Sequence, residues 1–485
     1  MAQSARLEDR QIALRVLREF HPGQTIALGT GLPSTLCGVA DLDSGLRFLA
    51  ETGVLGYHRN SAAATGSPGV FDSDGSPVTL LPGSSLNSLD ETAAMLRGGH
   101  VDYAVVQPAQ VDSQGNFTHW TSAATPGLHA PGTSLDLAAG ARRLVAMMHH
   151  TAADGGPNIV GECRGAIDGV ACVELIVTDL AVISVSPDLK DAGDSGEGLM
   201  LTEVAPGWRA DDLVALTECP LRISPQLTEM RFDSISGPAP EKDPAKVYVT
   251  GSLAVGDIPD GATIMIDGFA GPGGMAHYLL VSLRDQGAKD LTIISNTAGI
   301  ARVINFGTPP GRQAIDHSIL IDNNQVRKAI ASYPVSPSVS RPSAFELAYR
   351  KGEVELELVP QGTLAERLRA GGAGIGGFYT PTGVGTQIAE GKETRIIDGK
   401  EYLLETGLRA DYCLIRGFKA DTLGNVVYKG TSRNFNSVMA PAAAVTIVEV
   451  DEIVAPGDLD PELIVTPGIY VSRVVRRPPE FSAYE

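Results

Sequence analysis

The chain has 485 residues, of which 43% are apolar, and it carries a formal net charge of −19 at pH 7. This length predicts two or three domains, and the apolar share is sufficient for a buried core. The negative charge disfavours nucleic acid as a partner, because the chain would repel phosphates. The five cysteines lack a C-x-x-C pair, which argues against a disulfide framework and a cysteine metal site and is typical of a cytoplasmic protein.

The first half of the chain alternates short β-rich runs with helical periods. An amphipathic helix is predicted over 6–20, followed by a strand over 24–28 that ends in a turn containing Gly29 and Gly31. A second helix is predicted over 90–96, and further strands over 78–81, 103–106, 144–148 and 175–185. The longest apolar stretch is interrupted by charged residues, so no membrane span is expected. Short strands separated by helices predict an α/β fold with a mostly parallel or mixed sheet.

A stretch with three prolines and two serines over 234–246 has the composition of a linker. We therefore expect one domain over 1–233 and another over 247–485. After the linker the pattern restarts with a strand over 263–266, a glycine-rich turn over 268–274, a helix over 278–286 and a strand over 291–295. The similar opening of both halves predicts two related modules that pack around one site.

Three local motifs bear on function. The glycines over 372–377 match a dinucleotide-binding loop, but a helix precedes them where a strand is required, so nucleotide binding is not expected. Glu51 has apolar neighbours and precedes Gly53, which permits a tight turn that could present the carboxylate to a cleft; the alternative is a solvated surface glutamate. A helix is expected to begin with Thr363 as its cap and Glu366 completing a capping box, which would put Gln361 at the mouth of a sheet. The alternative for Gln361 is an ordinary loop amide.

Ordered motifs along nearly the whole chain carry a family resemblance. In the first half they include Leu-Gly-Thr-Gly-Leu-Pro at 28–33, Glu-Thr-Gly-Val-Leu-Gly at 51–56 and Leu-Thr-Glu-Val-Ala-Pro-Gly at 201–207. In the second half they include Asp-Leu-Thr-Ile-Ile-Ser-Asn at 290–296, Pro-Gln-Gly-Thr-Leu-Ala-Glu-Arg at 360–367 and Thr-Pro-Gly-Ile-Tyr-Val at 466–471. The chain resembles the family I coenzyme A transferases of the 3-oxoacid (succinyl-CoA:3-ketoacid) type. Its first half is similar to the B-type subunit of these enzymes, whereas its second half is similar to the A-type subunit.

The resemblance implies two similar α/β domains with the active site between them. It implies that Glu51 is the nucleophile, forming a glutamyl-CoA thioester, and that Gln361 and the backbone near Thr133 stabilise oxyanions. It also implies substrate or CoA contacts, which fall on Asn296, Thr297, Ser134, Gly29 and Gly31. No metal and no permanently bound cofactor are implied, since coenzyme A thioester is a substrate. The partners would be an acyl-CoA and a carboxylic acid, and the assembly a homodimer.

Several positions depart from the family pattern around the expected CoA and acyl pocket. Ala27 replaces an asparagine, Gly75 replaces a lysine expected to meet CoA, and Thr133 replaces a glycine. These departures keep a second interpretation open, in which the chain hydrolyses a CoA thioester or a C–C bond of a 3-oxoacyl-CoA, with Glu51 as general base. A third interpretation is a binding protein that kept the fold and lost the activity, against which the presence of Glu51 and Gln361 counts.

Overall fold

The computed structural model describes residues 5–59, 66–121, 129–130, 132–185, 198–232, 246–267, 269, 274–300, 303, 311–336 and 340–484. The chain divides into two compact units, Met1–Asp243 and Pro244–Glu485. The predicted linker over 234–246 lies outside the described residues except for Lys246, and so does most of the glycine-rich turn over 268–274.

The first unit is built on one large mixed sheet. Within its described residues the helices are α1 (Asp9–Leu17), α2 (Leu36–Val39), α3 (Leu89–Arg97), α4 (Ser134–Gly140) and α5 (Ala210–Leu216). The strands are β1 (Thr25–Leu28), β2 (Arg47–Ala50), β3 (Val54–His58), β4 (Thr79–Leu86), β5 (Tyr103–Val106), β6 (Gln110–Asp112), β7 (Phe117–Thr118), β8 (Trp120–Thr121), β9 (His129–Ala130), β10 (Arg143–Met148), β11 (Ile159–Val160), β12 (Val173–Thr178), β13 (Ala181–Val185), β14 (Leu199–Val204) and β15 (Arg222–Glu229). The large sheet has the order β15-β14-β13-β12-β10-β5-β1-β2-β3-β4.

The middle of this sheet is parallel and buried. Strands β12, β10, β5, β1 and β2 lie side by side in this order and run parallel to one another. All four residues of β5 are buried, as expected for a strand covered on both faces. The helix predicted over 90–96 corresponds to α3, which begins one residue earlier at Leu89, where Ser88 and Glu91 form a reciprocal capping box.

The strand predicted over 175–185 was wrong in its extent, since the chain turns back at Asp179 and Leu180 to form the antiparallel pair β12 and β13. The hydroxyl of Thr178 accepts hydrogen bonds from the backbone N–H groups of Leu180 and Ala181, at 3.1 and 2.9 Å. The Asp179 carboxylate accepts the backbone N–H of His150 at 2.8 Å. Side chains therefore accept the backbone hydrogen bonds of a turn that contains no glycine or proline. Because these usual turn residues are missing, the sequence predicts one continuous strand.

The second unit contains a parallel sheet. Within its described residues the helices are α6 (Gly251–Val255), α7 (His277–Gln286), α8 (Ser318–Asp322), α9 (Ala344–Arg350), α10 (Gln361–Gly372) and α11 (Asn436–Met439). The strands are β16 (Val247–Tyr248), β17 (Thr263–Ile266), β18 (Leu291–Thr297), β19 (Val326–Tyr333), β20 (Glu355–Leu358), β21 (Gly377–Thr380), β22 (Thr394–Ile397), β23 (Lys400–Thr406), β24 (Ala410–Arg416), β25 (Lys419–Asp421), β26 (Val426–Val427), β27 (Ala443–Val450), β28 (Glu452–Val454) and β29 (Arg473–Arg476). The parallel sheet has the order β16-β29-β27-β24-β17-β18-β19-β20.

Apolar side chains cover both faces of this parallel sheet. Ile264 and Ile266 of β17 belong to one buried cluster, whereas Met265 between them belongs to another. Alternate residues of one strand thus enter two separate cores, which fits a sheet with helices on both sides. The predicted cap at Thr363 was wrong, because α10 begins at Gln361 after Pro360 and Thr363 is buried inside the helix.

The two units share one sequence of elements, which confirms two similar α/β domains. In the first unit β5, β6, β7, α4, β10 and β11 occur in this order, with the two-residue strands β8 and β9 between β7 and α4. In the second unit β24, β25, β26, α11, β27 and β28 occur in the corresponding order. In the first unit β6 pairs antiparallel with β7 and parallel with β11. In the second unit β25 pairs antiparallel with β26 and parallel with β28. The same Asp-x-x-Gly-Asn turn follows β6 and β25, where Asp112 and Asp421 accept the side-chain amides of Asn116 and Asn425.

Candidate active site

Glu51 lies on the three-residue connection between β2 and β3, at the carboxyl end of β2. The turn is closed by a hydrogen bond from the backbone N–H of Gly53 to the carbonyl of Ala50 at 3.0 Å. Gly53 has φ +101°, and a Cβ built on it would lie 1.9 Å from the carbonyl oxygen of Asn87. Only glycine fits there, so the Glu-Thr-Gly motif is the local reason for the position of the glutamate.

A second turn, residues 71–76, fixes the backbone on either side of the Glu51 carboxylate. The N–H of Glu51 donates to the Ser73 hydroxyl at 3.2 Å, and the Thr52 hydroxyl donates to the carbonyl of Phe71 at 2.8 Å. Ser73 in turn donates to the carbonyl of Leu28 at the end of β1, at 3.4 Å. The main chain of Glu51 is therefore attached to a neighbouring strand end, while its half-buried side chain extends away.

Thr133 is brought to Glu51 by the start of α4, and its hydroxyl donates a hydrogen bond to Glu51 Oε2. The next residue, Ser134, is buried and its hydroxyl lies 3.0 Å from His119 Nδ1. The backbone N–H of His119 donates to Asp168 at 2.7 Å, and burial lowers the pKa of the His119 ring, so the ring is neutral at pH 7. Thr133 and Ser134 could be predicted from the family resemblance, whereas His119 and Ser73 could not, because neither lies in a recognisable motif.

The glycine turn after β1 binds the carboxylate of Asp74. The N–H of Gly31 donates to Asp74 Oδ1 at 2.8 Å, and the Ser34 hydroxyl donates to Asp74 Oδ2. Arg59 pairs with Asp72 and lies 3.4 Å from Asp74. Gly75, at the position of the expected lysine, has φ +73° in the same turn. This turn therefore contains two carboxylates beside the position at which the family resemblance implied a lysine. The substrate contacts of Gly29 and Gly31 stay predictions.

Three of the predicted site residues belong to the second unit. Asn296 and Thr297 lie at the carboxyl end of β18 and are buried, and among the described residues no hydrogen-bond partner reaches Asn296 Oδ1. The carbonyl of Thr297 accepts a hydrogen bond from His317 Nε2 at 2.6 Å. Gln361 is the exposed first residue of α10, three residues beyond the end of β20. Strand ends are where α/β folds bind ligands, and the roles of these three residues stay predictions.

The described part of the chain contains neither a group of metal-ligating side chains nor a helix suited to cross a membrane. In it, no three or more His, Cys, Asp or Glu side chains are grouped so that they could hold a metal ion. The same residues contain no helix whose length and apolar character would suffice to cross a membrane.

Comparison with known proteins identifies the family. The coenzyme A transferase family matches residues 10–216 and 251–477, that is, most of both units. Over 230 residues the chain is 48% identical to one subunit of a probable succinyl-CoA:3-ketoacid coenzyme A transferase of Bacillus subtilis, covering 47% of this chain and 89% of that protein. It is also 48% identical over 230 residues to one subunit of a 3-oxoadipate CoA-transferase of Pseudomonas putida, covering 47% of this chain and 93% of that one.

A solved structure of an acyl-CoA transferase from E. coli O157:H7 aligns with 49% of this chain and 48% of its own, at 23% identity and a TM-score of 0.41. The family match in both units and the two relatives of known class agree with the motifs found in the sequence. The chain belongs to the coenzyme A transferase family.

Proposed function

We propose that this protein transfers CoA from an acyl-CoA to a carboxylic acid, with a 3-oxo acid as one of the two acids. The observation that carries the proposal is the Glu51 carboxylate, which a tight glycine turn presents at a strand end and which accepts a hydrogen bond from the Thr133 hydroxyl. The relatives named for 3-ketoacid and 3-oxoadipate transfer support the choice of a 3-oxo acid.

The proposed reaction is a ping-pong transfer through a glutamyl-CoA thioester. A Glu51 oxygen attacks the thioester carbonyl, the C–S bond breaks, and an acyl-glutamyl anhydride and CoA thiolate result. The thiolate then attacks the glutamyl carbon and releases the first acid. The second acid takes the CoA by the same steps in reverse. Each step passes through an oxyanion, for which Gln361 and a backbone N–H near Thr133 are the proposed donors.

The proposed substrate contacts are those that the family resemblance implies. Asn296, Thr297, Ser134, Gly29 and Gly31 are assigned to the acyl-CoA, and a homodimer is the proposed assembly. For Asn296, support comes from its buried side-chain oxygen, which no donor reaches within the described residues and which a substrate N–H group could satisfy.

The competing hydrolase has one observation in its favour, the acidic turn around Gly75. The turn lacks the lysine that would attract CoA phosphates, and the neighbouring cation of Arg59 is already paired with Asp72, so CoA could be held differently. In this alternative Glu51 acts as a base on water, and no CoA reaches a second acid.

An oxygen-labelling experiment separates the two. The protein is mixed with succinyl-CoA and either acetoacetate or 3-oxoadipate in ¹⁸O-water. We expect the 3-oxoacyl-CoA to form and the released succinate to contain no solvent oxygen. Glu51→Gln should abolish the product, whereas the control Glu174→Gln, at an exposed residue paired with Arg143, should not. Free CoA together with labelled succinate would establish the hydrolase instead.

A further inference from the structure

The contact between Thr133 and Glu51 is the most specific polar contact of the candidate nucleophile. The Thr133 hydroxyl donates to Oε2, and among the residues that the structure describes no other group donates to this carboxylate. Both side chains are half-buried, so water competes only partly for the bond. The second carboxylate oxygen, Oε1, is left without a protein donor within the described residues.

The hydroxyl is held by its own chain segment. The Thr133 carbonyl accepts the N–H of Leu137 at 2.9 Å, which joins the residue to the first turn of α4. The adjacent Ser134 is anchored on His119 at 3.0 Å, and Leu137 is buried. A donor fixed in this way needs little reorganisation when charge develops next to it.

We propose that the Thr133 hydroxyl is a catalytic donor that serves the same Glu51 oxygen throughout the reaction. This proposal rests on the proposed function, since it requires Glu51 to be the nucleophile. In the resting enzyme the hydroxyl bonds Oε2 and leaves Oε1 to attack the thioester. During the second step it stabilises the negative charge that develops on Oε2.

The bonds that form and break give Oε2 this role. In the first step Oε1 bonds to the acyl carbon while the acyl C–S bond breaks, and CoA leaves as thiolate. In the second step the thiolate bonds to the glutamyl carbon, which makes Oε2 an oxyanion. The C–Oε1 bond then breaks and the released acid carries Oε1 away. Oε2 remains as the carbonyl oxygen of the thioester, and Thr133 keeps its proton in every step.

Two substitutions test the hydroxyl directly. Thr133→Val removes it with little change of shape, and Thr133→Ser retains it. For Thr133→Val we expect kcat to fall about 100-fold, as for loss of one oxyanion donor, with KM changed less than about threefold. Thr133→Ser should stay within about threefold of the wild type. Thr202→Val is the matched control, because Thr202 is also half-buried and donates to a carbonyl, that of Val182 at 3.0 Å, but lies on β14.

The outcomes separate this inference from the proposed function. If Glu51→Gln turns over normally, the proposed function itself fails. If the wild type forms the 3-oxoacyl-CoA and Glu51→Gln is inactive but Thr133→Val retains kcat, the role of the hydroxyl is overturned while the function stands. Equal losses in Thr133→Ser and Thr133→Val would also overturn it, because a purely structural role does not distinguish them. Should Thr133→Val not fold, the comparison of Thr133→Ser with Thr133→Ala decides by the same criteria.

Discussion

Replacing Gly53 by alanine should destabilise the first unit and displace Glu51. An L-residue at φ +101° costs about 1–2 kcal/mol. The new Cβ would lie 1.9 Å from the Asn87 carbonyl oxygen, and relieving such an overlap with backbone costs about 1–3 kcal/mol more. We therefore expect the unfolding free energy to fall by about 2–5 kcal/mol. Displacing the carboxylate by about 1 Å would lower kcat about 100-fold.

Tryptophan fluorescence during urea unfolding measures this loss in the first unit, because the two tryptophans of the chain, Trp120 and Trp208, both belong to it. Gly155→Ala is the matched control, since Gly155 has φ +86° but no atom within 4 Å of a built Cβ. It should lose only the backbone contribution of about 1–2 kcal/mol. Equal unfolding midpoints for the two variants would refute the proposed clash with Asn87.

Three further changes test the first unit with the same fluorescence measurement. Ser88→Ala removes the cap of α3 and should lower the unfolding free energy by about 1 kcal/mol, whereas Ser88→Thr, which keeps the capping hydroxyl, should not. Asp112→Ala leaves three partly buried N–H groups of its turn without an acceptor and should cost about 3 kcal/mol, and a loss below that of Ser88→Ala would contradict this. Burial lowers the pKa of His150 from its ordinary value of 6.5 to about 4. As the pH falls below 6.5, the unfolded chain therefore binds a proton at His150 that the folded chain does not bind. Stability is therefore lost between pH 6.5 and 4, by about 3 kcal/mol, and His150→Gln should flatten this dependence; an unchanged slope would refute it.

The limits of secondary-structure elements could be predicted from the sequence where a run of buried apolar residues determines them. Strand β5 was predicted at its observed limits, because four consecutive apolar residues covered on both faces leave little alternative to a central strand. The prediction was wrong where side-chain hydrogen bonds form a turn without glycine or proline, as at Thr178 and Asp179 between β12 and β13. It also placed the start of α10 at Thr363, because a capping-box pattern is local and the preceding Pro360 had already fixed the helix entry.

The candidate site was predictable only in part. The Glu-Thr-Gly turn is local, so Glu51 could be found from its motif together with the family resemblance. The bond from Thr133 joins residues 82 positions apart in the sequence, and the backbone contact of Ser73 joins residues 22 apart. Such pairs depend on how the strand ends meet and leave no periodic signal. The repeated Asp-x-x-Gly-Asn turn was a local signal of two related domains that sequence analysis overlooked.

The most direct test of the proposed covalent mechanism is to look for a CoA adduct on Glu51 after the protein is mixed with an acyl-CoA and no acceptor acid. Borohydride reduces a glutamyl thioester to an alcohol and leaves a free carboxylate unchanged. We expect intact-mass spectrometry to show one CoA adduct per chain, and peptide mapping after borohydride to find the reduced side chain at residue 51. Turnover with no adduct and an unmodified Glu51 would contradict the covalent mechanism.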